Sequence, residues 1–113
     1  MAEQVQIDGR AGARPEIRVL RLAGQLNLVT VPGFLEALRK ENAPGVVLDF
    51  SGVTMLDSAG VGSLIQTLTT FQKAGRKLAL AGLGERTRSV LELTRVARLF
   101  PIFPTAEEAE TKL

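Results

Sequence analysis

The residues best equipped for chemistry stand together in "MLDSAGV" (55–61), where an acid, Asp57, and a hydroxyl, Ser58, precede two small residues, Ala59 and Gly60. An apolar segment follows directly. Three roles suit a serine in that setting: a nucleophile, a helix cap, or a hydroxyl that another protein modifies. A nucleophile elbow needs G-x-S-x-G, but Leu56 occupies the first glycine's place and the chain has no histidine to act as base. There is no cysteine either, which removes disulfides, thiol nucleophiles and the common zinc sites along with every Ser–His–Asp arrangement. "SAGVGSL" lacks the lysine of a phosphate loop, and Ile65 stands where a dinucleotide fingerprint wants its third glycine. "GLGER" (82–86) reads only as a turn. No catalytic residue, metal site or cofactor is expected, and the chain is not read as an enzyme. Asp49 is expected to be a hydrogen-bonded structural carboxylate.

Two roles for Ser58 stay open on the local sequence. As an N-cap its oxygen would accept from the N–H of Gly60 or Val61, contributing about 1 kcal/mol. As a phosphorylation site it would face the unpaired N–H groups of a helix start, with Ala59 and Gly60 leaving room. A phosphate adds about −1.5 to −2 charges at neutral pH. On a chain of net charge +2 that is nearly a full cancellation.

The elements that must position this stretch follow from periodicity. "EIRVLRLAG" (16–24) alternates as a half-buried strand, with "VQI" (5–7) as a short partner and 8–15 as the turn between them. A helix is expected over 30–42, with Thr30 as cap, Pro32 in the first turn, Leu35 and Leu38 inward, and Glu36 paired with Lys40. "GVVLDFSGV" (45–53) is a central strand. The helix after Ser58, over 61–74, turns Val61, Leu64, Ile65, Leu68 and Phe71 or Gln72 inward and stops before Gly75. A second interior strand (76–82), a helix from 85 to about 93, a short edge strand in "FPIFP" and a helix capped by Thr105 with Glu108 complete the chain. The order β–β–α–β–α–β–α–β–α implies an α/β domain: a small, mixed, mostly parallel sheet with interspersed helices over both faces.

Composition narrows the partners. At 113 residues, with 45% hydrophobic and 23% charged residues, the chain is the size of one ordinary globular domain. No apolar run is long enough to span a bilayer, and the N-terminus lacks the order of a signal peptide, so no membrane insertion and a cytoplasmic location are expected. Seven basic residues between Lys73 and Arg98 face only Glu85 and Glu92. Without Tyr or Trp the stacking platforms of nucleic-acid binders are thin, so direct nucleic-acid binding is not expected. A solvated face, or a docking surface for an acidic protein, accounts for the cluster.

The run from "VVLDFSGV" through D-S-x-G (57–60), the helix at 61–74, the strand at 78–82 and "VLELT…RLF" resembles the STAS-domain family, especially the bacterial anti-sigma-factor antagonists. "AGQLN" (23–27) is similar to that family's first glycine turn. The resemblance implies one STAS domain over 4–112, a monomer or weak dimer acting in transcription regulation. It further implies that Ser58 is the phosphoacceptor and that Asp57 and Gly60 shape its loop. The partner implied is a serine-kinase-type anti-sigma factor with a histidine-kinase-like ATP fold. The unphosphorylated antagonist binds it and frees the sigma factor; a serine phosphatase acting on the phosphoserine resets the switch. The contact surface is expected to combine the loop at 24–30, including Gln25 and Asn27, with Met55, Ala59, Val61 and Gln66, although Met55 and Leu56 also suit a core under the loop. Acids are common in the family where Gln25 and Asn27 stand, and Arg95 and Ala97 replace a common Gly and Asp. The resemblance leaves a second reading of this chain open, that of a non-phosphorylated STAS subunit bracing an ABC-type lipid transporter on its cytoplasmic side.

Overall fold

Val46, Val47 and Leu48 are all without solvent exposure, so their strand must have neighbours on both edges and cover on both faces. The computed structural model describes residues 3–113 and places that strand in the middle of a five-stranded sheet. Its order is β1 (Gln6–Ala11), β2 (Ile17–Leu26), β3 (Gly45–Leu56), β4 (Lys77–Ala81) and β5 (Ile102–Phe103). β1 runs antiparallel to β2, and every other pairing is parallel.

Three helices carry the chain between successive parallel strands: α1 (Val31–Lys40), α2 (Ser58–Lys73) and α3 (Glu85–Leu93). Strands added in one direction by right-handed crossovers put all their helices on one face. The main core forms there, with Phe34, Leu64 and Leu91 packed on Leu22, Leu48, Phe50 and Leu80. The other face is covered by α4 (Ala106–Lys112), whose Ala106 and Ala109 sit on Ile17, Val19, Val47 and Ala81. Thr105 caps α4 by accepting from Glu108 N at 3.1 Å, while the Glu108 carboxylate turns to Lys112 at 3.0 Å. Arg10 on β1 holds the largely buried Glu110 through both carboxylate oxygens, the shorter contact being 2.6 Å.

Several sequence expectations are corrected here. The turn expected over 8–15 is shorter, because Asp8, Gly9 and Arg10 pair in the ladder with Arg21, Leu20 and Val19. Cross-strand pairing overrides the Asp-Gly turn signal. β3 runs on past Val53 to Leu56, and α2 begins at Ser58 rather than Val61. Ile65 is exposed, whereas Ser63 and Thr67 take the inward positions, their hydroxyls donating to Gly60 O at 2.7 Å and Ser63 O at 2.8 Å. In α1 the buried pair is Phe34 and Leu38, with Leu35 half-buried. Glu36 lies nearer Arg39, at 2.6 Å, than Lys40, at 3.8 Å.

Candidate functional site

The ends of β2 and β3 lie side by side, Gln25 in register with Met55 and Leu26 with Leu56, so the loops that leave them emerge together. Asp57 ties the two loops. Its Oδ1 accepts from Gly60 N at 2.8 Å, closing the start of α2, and its Oδ2 accepts from Leu28 N at 3.1 Å across the gap. Its own N–H reaches Leu26 O at 3.3 Å. The capping role considered for Ser58 therefore belongs to the residue before it. The physical reason is backbone geometry: Asp57 has the extended dihedrals of an N-cap (φ −104°, ψ −175°), whereas Ser58 is already the first helical residue.

Ser58 is exposed, and its hydroxyl has no hydrogen-bond partner among the described residues. The N–H of Gly60 is taken by Asp57, but those of Ser58 and Ala59 have no acceptor within the helix. Gly60 is required by close approach. A Cβ there would collide with the Leu26 carbonyl oxygen and stand 2.6 Å from Leu56 Cδ1, so only glycine lets α2 begin against the end of β2.

The facing loop is knitted from its own polar residues. Asn27 Oδ1 accepts from Val29 N at 3.0 Å and Thr30 N at 3.1 Å, and its amide donates to Gln25 Oε1 at 3.2 Å and Glu3 Oε1 at 2.7 Å. Thr30, expected to cap α1, instead accepts from Asn27 N at 2.9 Å and donates to Gln25 O at 2.9 Å. Its backbone is helical already, so the capping falls to Asn27, three residues earlier. Gly24, at φ +105°, stands in β2 where its register with β3 slips, between Gly24 and Gln25.

Around Ser58 the surface is apolar. Leu28 is 75% exposed, Val29 62% and Met55 42%, and Ile65 is exposed two turns along α2 on the same side as Ser58. Met55 therefore does not fill the core under the loop; Leu56 does. Of the other residues expected on this surface, Gln66 is exposed and Ala59 half-buried, but Val61 belongs to the core. Leu28 and Val29 lie inside the loop at 24–30 expected on this surface, though the sequence singled out neither by name. Two adjacent aliphatics inside a loop of polar neighbours were their only signal. Asp49 lies elsewhere, accepting from Ser51 N at 2.9 Å, and no cluster of metal-ligating side chains occurs among the described residues.

The model of the STAS domain family matches residues 10–109. This chain belongs to the STAS domain family. A curated relative, the anti-sigma-B factor antagonist of Staphylococcus epidermidis, is 27% identical over 86 residues, covering 74% of this chain and 80% of that protein. An anti-sigma factor antagonist from Mycobacterium paratuberculosis has a solved structure with TM-score 0.80 and 27% identity, over 94% of this chain and 92% of that one. The STAS domain of a SulP transporter from Vibrio cholerae superposes with TM-score 0.72 at 21% identity, over 90% of this chain and 84% of that one, which speaks for the fold alone. In this STAS domain the D-S-x-G residues, 57–60, form the tie between the loops, the exposed hydroxyl and the close contact described above.

Proposed function

We propose that this STAS domain is an anti-sigma-factor antagonist switched by phosphorylation of Ser58. The observation that carries this reading is the division of labour at the start of α2. Asp57 does the capping, and the neighbouring Ser58 hydroxyl is left exposed and unengaged. The curated relative named as an anti-sigma-B factor antagonist supports the same class.

In the unmodified form, Leu28, Val29, Met55 and Ile65 offer an apolar rim around Ser58 to a kinase-type anti-sigma factor with a histidine-kinase-like ATP fold. Binding there frees the sigma factor. The kinase then transfers the γ-phosphoryl group of ATP to Ser58 Oγ, which loses its proton, and ADP leaves. A group of about −1.5 to −2 charges now stands within an apolar contact and beside Asp57, so the complex separates. The fold tolerates the group because the N–H groups of Ser58 and Ala59 and the helix dipole face it, the dipole contributing about 0.3–1 kcal/mol. A serine phosphatase restores the hydroxyl. This chain does no chemistry of its own in the cycle; it acts in the cytoplasm as a monomer or weak dimer.

The test is intact-mass spectrometry after incubation with ATP and candidate kinase-type anti-sigma factors. Wild type is expected to gain one phosphate and Ser58→Ala none. Ser58→Ala is expected to stay within about 0.5 kcal/mol of wild type in stability, because the hydroxyl caps nothing, and to bind without release. Ser58→Asp should fold but bind poorly. Equal affinity of the two variants for the kinase would overturn the switch.

A further inference from the structure

A second surface lies on elements that the Ser58 site does not use. Arg86 and Arg88 on α3, Arg95 just beyond it and Arg98 in the 3-10 turn Ala97–Leu99 are all exposed. Among the described residues, none of these four side chains forms an ion pair or a hydrogen bond. Elsewhere Arg10, Arg14, Arg18, Arg39, Lys40 and Lys112 each face a carboxylate, while Arg21, Lys73, Arg76 and Lys77 form no ion pair among the described residues. Between the unpaired arginines Leu93 is 83% exposed and Leu99 47%. A shallow groove of about 650 Å³ runs beside α3, floored by Val53 and Val90 and edged by Arg86, Ser89 and Leu93.

Arg95 adds an independent observation. It is the one non-glycine residue with positive φ among those described, at +61°. A long side chain disfavours that backbone, and only glycine takes it without penalty. The turn that closes α3 holds this backbone through Arg95 N to Glu92 O and Val96 N to Leu91 O, while the Arg95 side chain has no polar partner among the described residues. The left-handed backbone is the ordinary close of a helix, but glycine is its usual residue, so an exposed arginine there points to a demand on the side chain from outside the monomer.

We propose that α3 and the turn after it form a docking surface for an acidic protein segment that carries aliphatic side chains. Its carboxylates would pair with Arg86, Arg95 and Arg98, and an aliphatic side chain would enter the groove between Val53 and Leu93. An anionic membrane fits less well, because Leu93 and Leu99 stand singly among charges rather than as a continuous apolar stripe. Nucleic acid fits less well again. The chain offers no Tyr or Trp for stacking.

The probe is a synthetic amphipathic helix of Glu and Leu, titrated into the full chain while backbone amide shifts are followed by NMR. Shifts are expected to concentrate in residues 84–99, with affinity dropping about tenfold between 50 and 300 mM salt. Arg95→Gly should raise the melting temperature and at the same time weaken the peptide about fivefold or more. A merely structural role for Arg95 would move the first quantity and leave the second. Arg98→Ser should weaken binding without stabilising the fold. Wild-type affinity in Arg95→Gly, shifts centred elsewhere, or tighter binding to phosphatidylglycerol vesicles or duplex DNA than to the peptide would each overturn the proposal.

Discussion

α2 and α3 end in the same way and are closed by different residues. In α2 the N–H of Gly75 reaches Gln72 O at 3.1 Å and that of Arg76 reaches Phe71 O at 2.8 Å; in α3 Arg95 reaches Glu92 O at 3.0 Å and Val96 reaches Leu91 O at 2.9 Å. Both are Schellman motifs, and both put a left-handed residue just past the helix, at φ +71° for Gly75 and +61° for Arg95. The contact that seals each motif differs too. Val96 packs with Leu91 in the core, whereas the Arg76 guanidinium lies 3.9 Å above the Phe71 ring and donates to Ala43 O and Glu41 O. The beginnings diverge in parallel: Asp57 caps α2 with its side chain, while Gly84 begins α3 without one. The helix that carries Ser58 is thus fastened at both ends with the residues backbone chemistry prefers. The helix beside the arginine surface begins without a side-chain cap and closes on an arginine where glycine is the usual residue.

The contrast can be broken most severely at the apolar anchors. Phe71→Ala and Leu91→Ala should each destabilise by about 3–4 kcal/mol in urea titrations. Phe71→Ala should be the worse, because it also removes the Arg76 stacking. Near-neutral values would mean that the motifs hang on their hydrogen bonds alone. Next in size, Asp57→Ala should cost about 1–2 kcal/mol, since two N–H groups lose their acceptor. Hydrogen exchange of the Leu28 and Gly60 amides should then accelerate together; if only Gly60 responds, Asp57 does not tie the loops. The smallest effects are the most diagnostic. Gly75→Arg should destabilise by about 1 kcal/mol and Arg95→Gly should stabilise by somewhat less, the gain being trimmed by glycine's freedom in the unfolded chain. Changes of the same sign would show that the two helix ends are not equivalent in strain.

Element order, the parallel core of the sheet and the position of the D-S-x-G turn were legible because each rests on local pattern. "GVVLDFSGV" is too apolar and too short to be anything but a central strand, and Gly75 after Lys73 ends a helix wherever it occurs. What escaped depended on non-local geometry. Asp57 and Ser58 are equally good caps on paper, and the choice fell to Asp57 because β3 runs to Leu56 beside Leu26 and leaves the aspartate extended. Ile65 fits the inward periodicity, yet the close packing of α2 admits Ser63 and Thr67 instead, their hydroxyls satisfied within the helix. Val61 suits both an inward place by the helical period and a place on the contact surface, and only the first holds. The place of the rim was legible in Met55 and the loop at 24–30, but not its apolar character, since Leu28 and Val29 look like buried residues until the loop holding them is seen to face outward.

The ion pair between Arg10 and Glu110 joins positions 100 residues apart, and it has a bearing on how the chain comes into being. The β–α–β units close from neighbours in sequence and can settle one after another as synthesis proceeds. The sheet's second face cannot. Ile17, Val19 and Val47 stay in water until Ala106 and Ala109 have left the ribosome. At about 5–20 residues per second the segment from Phe103 to Glu110 takes on the order of a second to appear. During that interval a nascent chain shows an apolar sheet with one side bare. Pulsed hydrogen exchange on stalled chains should find the face unprotected at residue 103 and closed once α4 is free. Closing that face is therefore a late step in folding, and until it occurs the bare side is open to association with other chains.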